Sequence, residues 1–204
     1  MFSIHLDRRF ALGLAAAVLT VGIGAVVDTD VQAATVVTPQ LEIAATALKP
    51  AVRLSQSGVI MFPMNPLPKC ALSKTSFGQP RPPDRTHEGI DLMASLGQEI
   101  YAVDNGTITR MTINGAPNST LSGNALYLTM PDKTYYFYAH LSAFAAGLTA
   151  GTVVTRGQLI GYVGDTGDPG AGNYHLHFEV HPLGGAAVDP YPLLTIPKSC
   201  TVVP

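Results

Sequence analysis

Short runs of apolar and β-branched residues, separated by turn-rich stretches, most limit how this chain can fold. The intervening stretches include DNG, NGAPNSTLSGN, PDK and GDTGDPGAGN, all rich in residues that favour turns. Runs this short and this closely spaced predict an all-β domain with antiparallel pairing, and no long amphipathic helical pattern competes with them. The candidate strands are Ile100 to Val103, Gly106 to Ile113, Ala125 to Met130, Thr134 to His140, Leu159 to Val163 and His175 to Val180.

The amino-terminal residues predict export. Arg8 and Arg9 precede an apolar run from Phe10 to Val27, and small residues follow at Val31 to Ala33. This pattern indicates a signal peptide over 1–33, and the alternative is a retained membrane anchor, because the apolar run is almost long enough to span a bilayer. With the signal removed, we expect no stable membrane insertion and a location that is secreted, periplasmic or in the cell envelope.

The length and charge of the chain limit its domain organisation and the kinds of partner it can bind. The 204 residues, 47% of them hydrophobic, are enough for one well-buried domain with short appendages. We expect a linker or short propeptide-like segment over 34–57 and the folded domain over 58–204. A formal net charge of -2, with no basic stripe, argues against a nucleic-acid partner, and we expect a monomer.

Two cysteines, Cys70 and Cys200, lie near the two ends of the predicted domain. In an oxidising compartment such a pair is expected to form a disulfide. The alternative is two free thiols.

The stretch GNYHLHFEV predicts a strand with one chemically active face. Side chains of a strand alternate between its two faces, so the apolar residues share one face and the polar residues share the other. A solvated polar face is the alternative explanation for the second set. The apolar set is Tyr174, Leu176, Phe178 and Val180, and the polar set is His175, His177, Glu179 and His181.

Two further stretches are built around histidine. In THEGIDLMA, His87 and Asp91 are separated by three residues, and Gly89 between them permits an unusual backbone course. In YYFYAHLS, alternation places His140 on the same face as Tyr136 and Tyr138, at the point where the strand is predicted to end.

Imidazole and carboxylate groups together suit a catalytic zinc ion. Such an ion takes three protein ligands and keeps a fourth position for water or substrate, so two imidazoles and one carboxylate are sufficient. Zinc lowers the pKa of a bound water to about 7. A further histidine could then transfer protons, because its unperturbed pKa of about 6.5 lies near neutral pH.

Four motifs, HEGID, YAHLS, GYVGDTG and HLHFEV, occur in an order and at separations that resemble the M23 family of zinc metallopeptidases, the lysostaphin and LytM type. The resemblance runs from MFPM through KTSFG to VDPYPLL. It implies a small antiparallel two-sheet β domain with a substrate groove, and hydrolysis of peptide bonds in bacterial peptidoglycan stems or cross-bridges. By position, His87, Asp91 and His177 would bind zinc, and His140 and His175 would be the catalytic histidines.

The alternative function is a non-catalytic module that binds cell wall or activates another hydrolase.

The sequence departs from the family pattern after SFG, where Pro80 occupies the position at which an arginine is common and Arg81 follows. We expect this change to alter one wall of the groove and leave the metal site intact. For His181 we expect no role as a metal ligand, and for Glu179 a solvated carboxylate, with an outer contact to a metal-binding histidine as the alternative.

Overall fold

Strands make up almost all of the regular structure in the computed structural model of the chain, which describes residues 60–204. The all-β prediction is therefore confirmed. Two 3-10 helices of three residues each, Pro182–Gly184 and Tyr191–Leu193, are the helices of this part. The strands are β1 (Ala71–Ser73), β2 (Pro80–Arg81), β3 (Arg85–Thr86), β4 (Ile90–Met93), β5 (Glu99–Tyr101), β6 (Gly106–Thr112), β7 (Asn124–Thr129), β8 (Tyr135–Phe144), β9 (Val153–Val154), β10 (Leu159–Val163), β11 (His175–His181) and β12 (Thr201–Val203).

The predicted signal peptide over 1–33 and the predicted linker over 34–57 lie outside the described residues. In residues 60–204, no helix has the length and apolar character needed to cross a membrane.

Ten strands form one branched sheet, and β2 and β3 form a separate hairpin. The main path of the sheet runs β12, β1, β4, β11, β8, β7, β6, β9, and β10 branches from β8 to pair with β5. Pairing among these strands is antiparallel, as predicted, except between β1 and β12, which run parallel. The central position of β11, between β4 and β8, puts its residues at the middle of the sheet.

Side chains along β11 alternate between the two faces of the sheet, one facing the hydrophobic core and the other carrying polar residues. Leu176, Phe178 and Val180 are buried in the main hydrophobic core, together with Leu92 of β4 and Tyr138 of β8. Full burial of a side chain as large as phenylalanine contributes roughly 1.5 to 3 kcal/mol, so the apolar face of β11 anchors the strand in the core. The opposite face is left to carry the histidines.

The six predicted strands all occur, with ends shifted by a few residues. The largest difference is in β8, which continues past His140 to Phe144. The strands not predicted are β1, β2, β3, β4, β9 and β12, each two to four residues long. Strands this short owe their pairing to neighbours distant in sequence and show little periodicity of their own.

Cys70 and Cys200 form the predicted disulfide, with their Cα atoms 4.6 Å apart. The next residue on each side belongs to a strand, because Ala71 begins β1, Thr201 begins β12, and these two residues pair in parallel. The disulfide therefore fixes the carboxyl-terminal strand at the edge of the sheet.

Replacing both cysteines by alanine should lower the free energy of unfolding by up to about 5 kcal/mol, because the disulfide closes a loop between residues 130 apart and restricts the unfolded chain. Denaturant unfolding of the wild type and the double variant measures this difference. Equal unfolding free energies would show that the disulfide does not stabilise the domain.

Candidate active site

A groove of about 690 Å³ crosses the face of the sheet opposite the main core. Its floor carries all five residues that the sequence analysis selected, on β4, β8, β11 and the segment before β4. One wall is the β2–β3 hairpin with Arg81 and Arg85, and Asp168 and Asn173 of the loop before β11 form another. The structure therefore brings together all the residues of the predicted site: His87, Asp91, His140, His175 and His177.

Three of these residues converge on one point. His87 Nε2 lies 3.0 Å from Asp91 Oδ1 and 3.0 Å from His177 Nδ1, and His177 Nδ1 lies 3.1 Å from Asp91 Oδ1. Asp91 of β4 and His177 of β11 are directly paired in the sheet, and His87 lies between β3 and β4. The register of β4 on β11 is thus what places the carboxylate beside the imidazole.

The outer contacts of the two imidazoles determine which nitrogen carries a proton. His87 Nδ1 is 2.7 Å from the carbonyl oxygen of Ser76, which can only accept, so this nitrogen donates and Nε2 keeps its lone pair. His177 Nε2 is 2.8 Å from Glu179 Oε1 and donates to it, so in the neutral ring that would bind a metal ion the lone pair is on Nδ1. Three lone-pair atoms therefore face one another, an arrangement that a cation stabilises.

The electrostatics of the cluster favour the same conclusion. Burial alone would raise the pKa of Asp91, but its close contacts with His177 and His87 outweigh burial and hold that pKa well below its usual range. Burial would lower the pKa of His177, but its contacts with Asp91 and Glu179 raise the pKa to about 9. The cluster keeps an anionic carboxylate and draws positive charge to His177.

The donor set fits a zinc ion. Two histidine nitrogens and one carboxylate oxygen are a common set for catalytic zinc. Ligand atoms placed tetrahedrally about 2 Å from such an ion lie roughly 3.3 Å from one another, close to the separations in this cluster. In residues 60–204, His87, Asp91 and His177 form the group with the spacing of a metal site.

Arg81 reaches the second oxygen of the same carboxylate. Its guanidinium hydrogen-bonds Asp91 Oδ2, while Oδ1 faces the two histidines. We expected the shifted arginine to affect only a groove wall, but the contact shows that it also braces the cluster. The β2–β3 hairpin brings Arg81 within reach, and this pairing could not be read from the spacing of the motif.

His140 and His175 resemble each other in that Nδ1 of each ring contacts a backbone carbonyl oxygen. His140 Nδ1 lies 2.9 Å from the carbonyl oxygen of Thr166, and His175 Nδ1 lies 2.8 Å from that of Asn173. Each Nδ1 therefore donates, and each Nε2 keeps a lone pair. The His175 Nε2 is 3.7 Å from Asp91 Oδ1, and the ring centroids of His140 and His175 are 4.8 Å apart. Two potential proton acceptors thus lie beside the three-residue cluster.

Both of these imidazoles are held in the neutral form. Burial, reinforced by the neighbouring His175, lowers the pKa of His140 to about 4. Burial also lowers the pKa of His175. At neutral pH each ring can accept a proton, which is the state a general base requires.

His140 reaches the groove because of a β-bulge. Between two register pairs of β7 and β8, Ala139 and His140 of β8 lie opposite the single residue Ala125 of β7, and His140 has a left-handed φ of 65°. The sequence alternation put His140 on the face of Tyr136 and Tyr138, and this was wrong. Those two tyrosines are in the core, whereas His140 lines the groove.

Glu179 is not the solvated carboxylate that we expected. Its side chain is 13% exposed and bridges His177 and His181. The only signal for this in the sequence was that the three residues share one face of a strand. As expected, His181 lies outside the three-residue cluster.

Close packing requires glycine at position 89, although its φ is not in the left-handed region. A Cβ atom at this position would lie 2.5 Å from the carbonyl oxygen of Phe178 and 3.0 Å from Cε1 of His177. The absence of a side chain thus lets the segment between His87 and Asp91 lie directly against β11.

Comparisons with known proteins match this chain to one family of peptidases. The model of Peptidase family M23 matches residues 85–190. The L-Ala--D-Glu endopeptidase of Bacillus subtilis is 34% identical over 118 residues, covering 54% of this chain and 35% of that protein. The DD-carboxypeptidase/endopeptidase Mpg of Neisseria meningitidis is 36% identical over 106 residues, covering 52% of this chain and 22% of that protein.

Among solved structures, Helicobacter pylori Csd3 in its orthorhombic crystal aligns with a TM-score of 0.52 and 26% identity. The alignment covers 70% of this chain and 37% of that chain. The matched part thus spans only about a third or less of the length of these relatives.

Replacing Gly89 by alanine should lower the free energy of unfolding by about 1 to 3 kcal/mol and weaken metal binding, because the new methyl group pushes β11 and His177 away from Asp91. Denaturant unfolding and zinc titration measure the two effects. Gly147→Ala is the control for zinc affinity alone. Its Cβ would meet nothing within 4 Å, so zinc affinity should stay at the wild-type value, although the left-handed φ of 75° makes alanine cost stability there as well. Unchanged stability and zinc affinity in Gly89→Ala would contradict the close-packing explanation.

Proposed function

The chain belongs to peptidase family M23, and we propose that it is an exported zinc endopeptidase that hydrolyses peptide bonds in bacterial peptidoglycan. One observation carries the proposal. Three lone-pair donor atoms, 3.0 to 3.1 Å from one another, lie beside two neutral histidines on the floor of an open groove. This arrangement combines a place for a metal ion with groups that can move a proton.

His87, Asp91 and His177 would hold the metal ion. When bound, zinc supplies Lewis acidity, which lowers the pKa of water to about 7 and polarises a carbonyl oxygen. With one carboxylate among its three ligands, the site would keep one net positive charge. That charge favours a transition state in which negative charge develops on the substrate oxygen.

His140 and His175 would handle the protons. With Nδ1 of each ring engaged by a backbone carbonyl, Nε2 is the atom that can take a proton from the attacking water. The protonated ring can then donate to the oxygen that gains negative charge, or to the leaving amine. The Nε2 of His175 lies 3.7 Å from Asp91 Oδ1, which supports a role for this residue next to the metal ligands.

The nature of the groove supports a peptide substrate. Tyr127, Tyr135 and Phe137 line it with aromatic surface, and Arg81 and Arg85 supply positive charge. One relative is named for an L-Ala--D-Glu bond and another for carboxypeptidase and endopeptidase activity. We propose cleavage in peptidoglycan stems or cross-bridges on this family basis.

Export is proposed on two grounds. The amino-terminal sequence has the pattern of a signal peptide, and Cys70 and Cys200 are joined as they would be in an oxidising compartment. We therefore place the protein outside the cytoplasm, as a monomer with the domain over 58–204. A non-catalytic wall-binding module is not favoured, because binding alone does not require two neutral histidines beside a metal cluster.

Purified protein should bind about one zinc ion per chain and release peptide fragments from isolated walls, and a chelator should stop this release. Metal analysis and mass spectrometry of the fragments measure both effects and identify the bond. Asp91→Ala should lose zinc and activity, whereas Asp168→Ala, which removes an exposed carboxylate from the same groove, should keep the zinc. Wild-type protein that binds no zinc, or that binds walls without releasing fragments, would refute the proposed enzyme.

His140→Ala should retain one zinc per chain and lose activity by about 10²- to 10⁴-fold, because it removes a proton-transfer group and no metal donor. Metal content and the rate of fragment release, measured on the same preparation, separate the two roles. Loss of zinc in this variant would assign His140 to metal binding. Undiminished turnover would exclude it from the chemistry.

A further inference from the structure

A buried chain of hydrogen bonds leads from the three-residue cluster in the direction away from His140 and His175. His177 Nε2 lies 2.8 Å from Glu179 Oε1, and Glu179 Oε2 lies 2.7 Å from His181 Nε2. The side chains of His177, Glu179 and His181 are 13%, 13% and 8% exposed. The residues proposed to contact substrate or metal do not need these additional hydrogen bonds for their own roles. The hydrogen-bond chain therefore requires a separate explanation.

The donors and acceptors of this chain are fully matched in one protonation state. His181 Nδ1 lies 2.9 Å from the carbonyl oxygen of Gly185, and its Nε2 faces the Glu179 carboxylate, so both ring nitrogens donate. Burial would lower the pKa of His181, but these two contacts raise it. The imidazolium of His181 therefore offsets the charge of Glu179, and His177 Nε2 donates to the other carboxylate oxygen.

His181 is held in place on its other side as well. Its ring stacks on Tyr135 with centroids 4.2 Å apart and an interplanar angle of 11°. Tyr135 is the residue of β8 that pairs with His181 of β11, so the sheet itself sets this contact. The carboxylate of Glu179 is thus aimed at His177 by a partner that cannot easily move.

From this geometry we propose that Glu179 and His181 are positioning residues for the metal site. Glu179 fixes the ring orientation of His177 and keeps the proton on Nε2, so that Nδ1 presents its lone pair to the ion. His181 holds Glu179 and balances its charge. The inference rests on the proposed zinc-dependent function, because it assigns these residues to the support of one metal ligand.

Two substitutions of Glu179 separate orientation from charge. Glu179→Ala should weaken zinc binding by about 10- to 100-fold, because Nε2 of His177 loses its acceptor and the ring can turn or change tautomer. Glu179→Gln should keep wild-type zinc affinity, since its amide oxygen accepts from His177 Nε2 and its amide nitrogen donates to a neutral His181. Competition with a chromophoric chelator measures the zinc dissociation constants.

His181→Phe keeps the stack on Tyr135 and removes the donor to Glu179. We expect zinc affinity between those of the wild type and Glu179→Ala. Glu88→Ala removes an exposed carboxylate that lines the same groove and should bind zinc as the wild type does. Circular dichroism and thermal unfolding of the metal-free variants test whether each retains the wild-type fold.

The outcomes are distinct. Wild-type zinc affinity in Glu179→Ala would overturn the inference, and equal losses in Glu179→Ala and Glu179→Gln would replace orientation by charge as the cause. Wild-type affinity in His181→Phe would overturn the part that concerns His181. If Glu179→Ala does not fold, the zinc affinities of Glu179→Gln and His181→Phe still test the inference. Failure of the wild type to bind zinc would instead refute the proposed function.

Discussion

The mutual approach of three lone pairs is the constraint on which the rest of the site depends. Donor atoms of His87, Asp91 and His177 meet at 3.0 to 3.1 Å, where they repel one another unless positive charge lies among them. The backbone holds them there, since β4 and β11 pair with Asp91 opposite His177, and Gly89 allows the intervening segment to lie against β11. Core packing of the opposite face of β11 supplies the stability that offsets this repulsion.

The four histidines of the predicted site have two kinds of outer contact, and these contacts determine what each ring can do. Carbonyl oxygens accept from Nδ1 of His87, His140 and His175, which leaves Nε2 of each ring with a lone pair. In His177 the pattern is reversed, because Glu179 accepts from Nε2 and Nδ1 faces the cluster. In the proposed mechanism, neighbouring groups thus divide chemically identical side chains between metal binding and proton transfer. Burial keeps the rings of His140 and His175 neutral, while the cluster attracts a cation.

Sequence alone predicted the all-β fold, the main strands and the disulfide, because alternation, turn residues and cysteine number are local signals. It also brought out the five groove residues, through the spacing of their motifs and the family resemblance. It placed His140 on the wrong face, because a bulge reverses alternation at one residue and is formed only against β7. It likewise missed the contacts of Arg81 and Glu179, since these join segments whose distance in space is set by sheet pairing. It did not show that Gly89 is needed for close packing, because the close approach to β11 is a tertiary contact.

The main chain of the loop before β11 holds both histidines that we propose for proton transfer. Thr166 and Asn173 contribute carbonyl oxygens, a group that every amino acid possesses, and the same loop presents the side chains of Asp168 and Pro169 to the groove. Substitutions in this loop that preserve its backbone course can therefore remodel the wall that meets the substrate without disturbing the tautomers of His140 and His175. For the proposed peptidase, selectivity for a new peptide is thus open to evolution separately from catalytic competence.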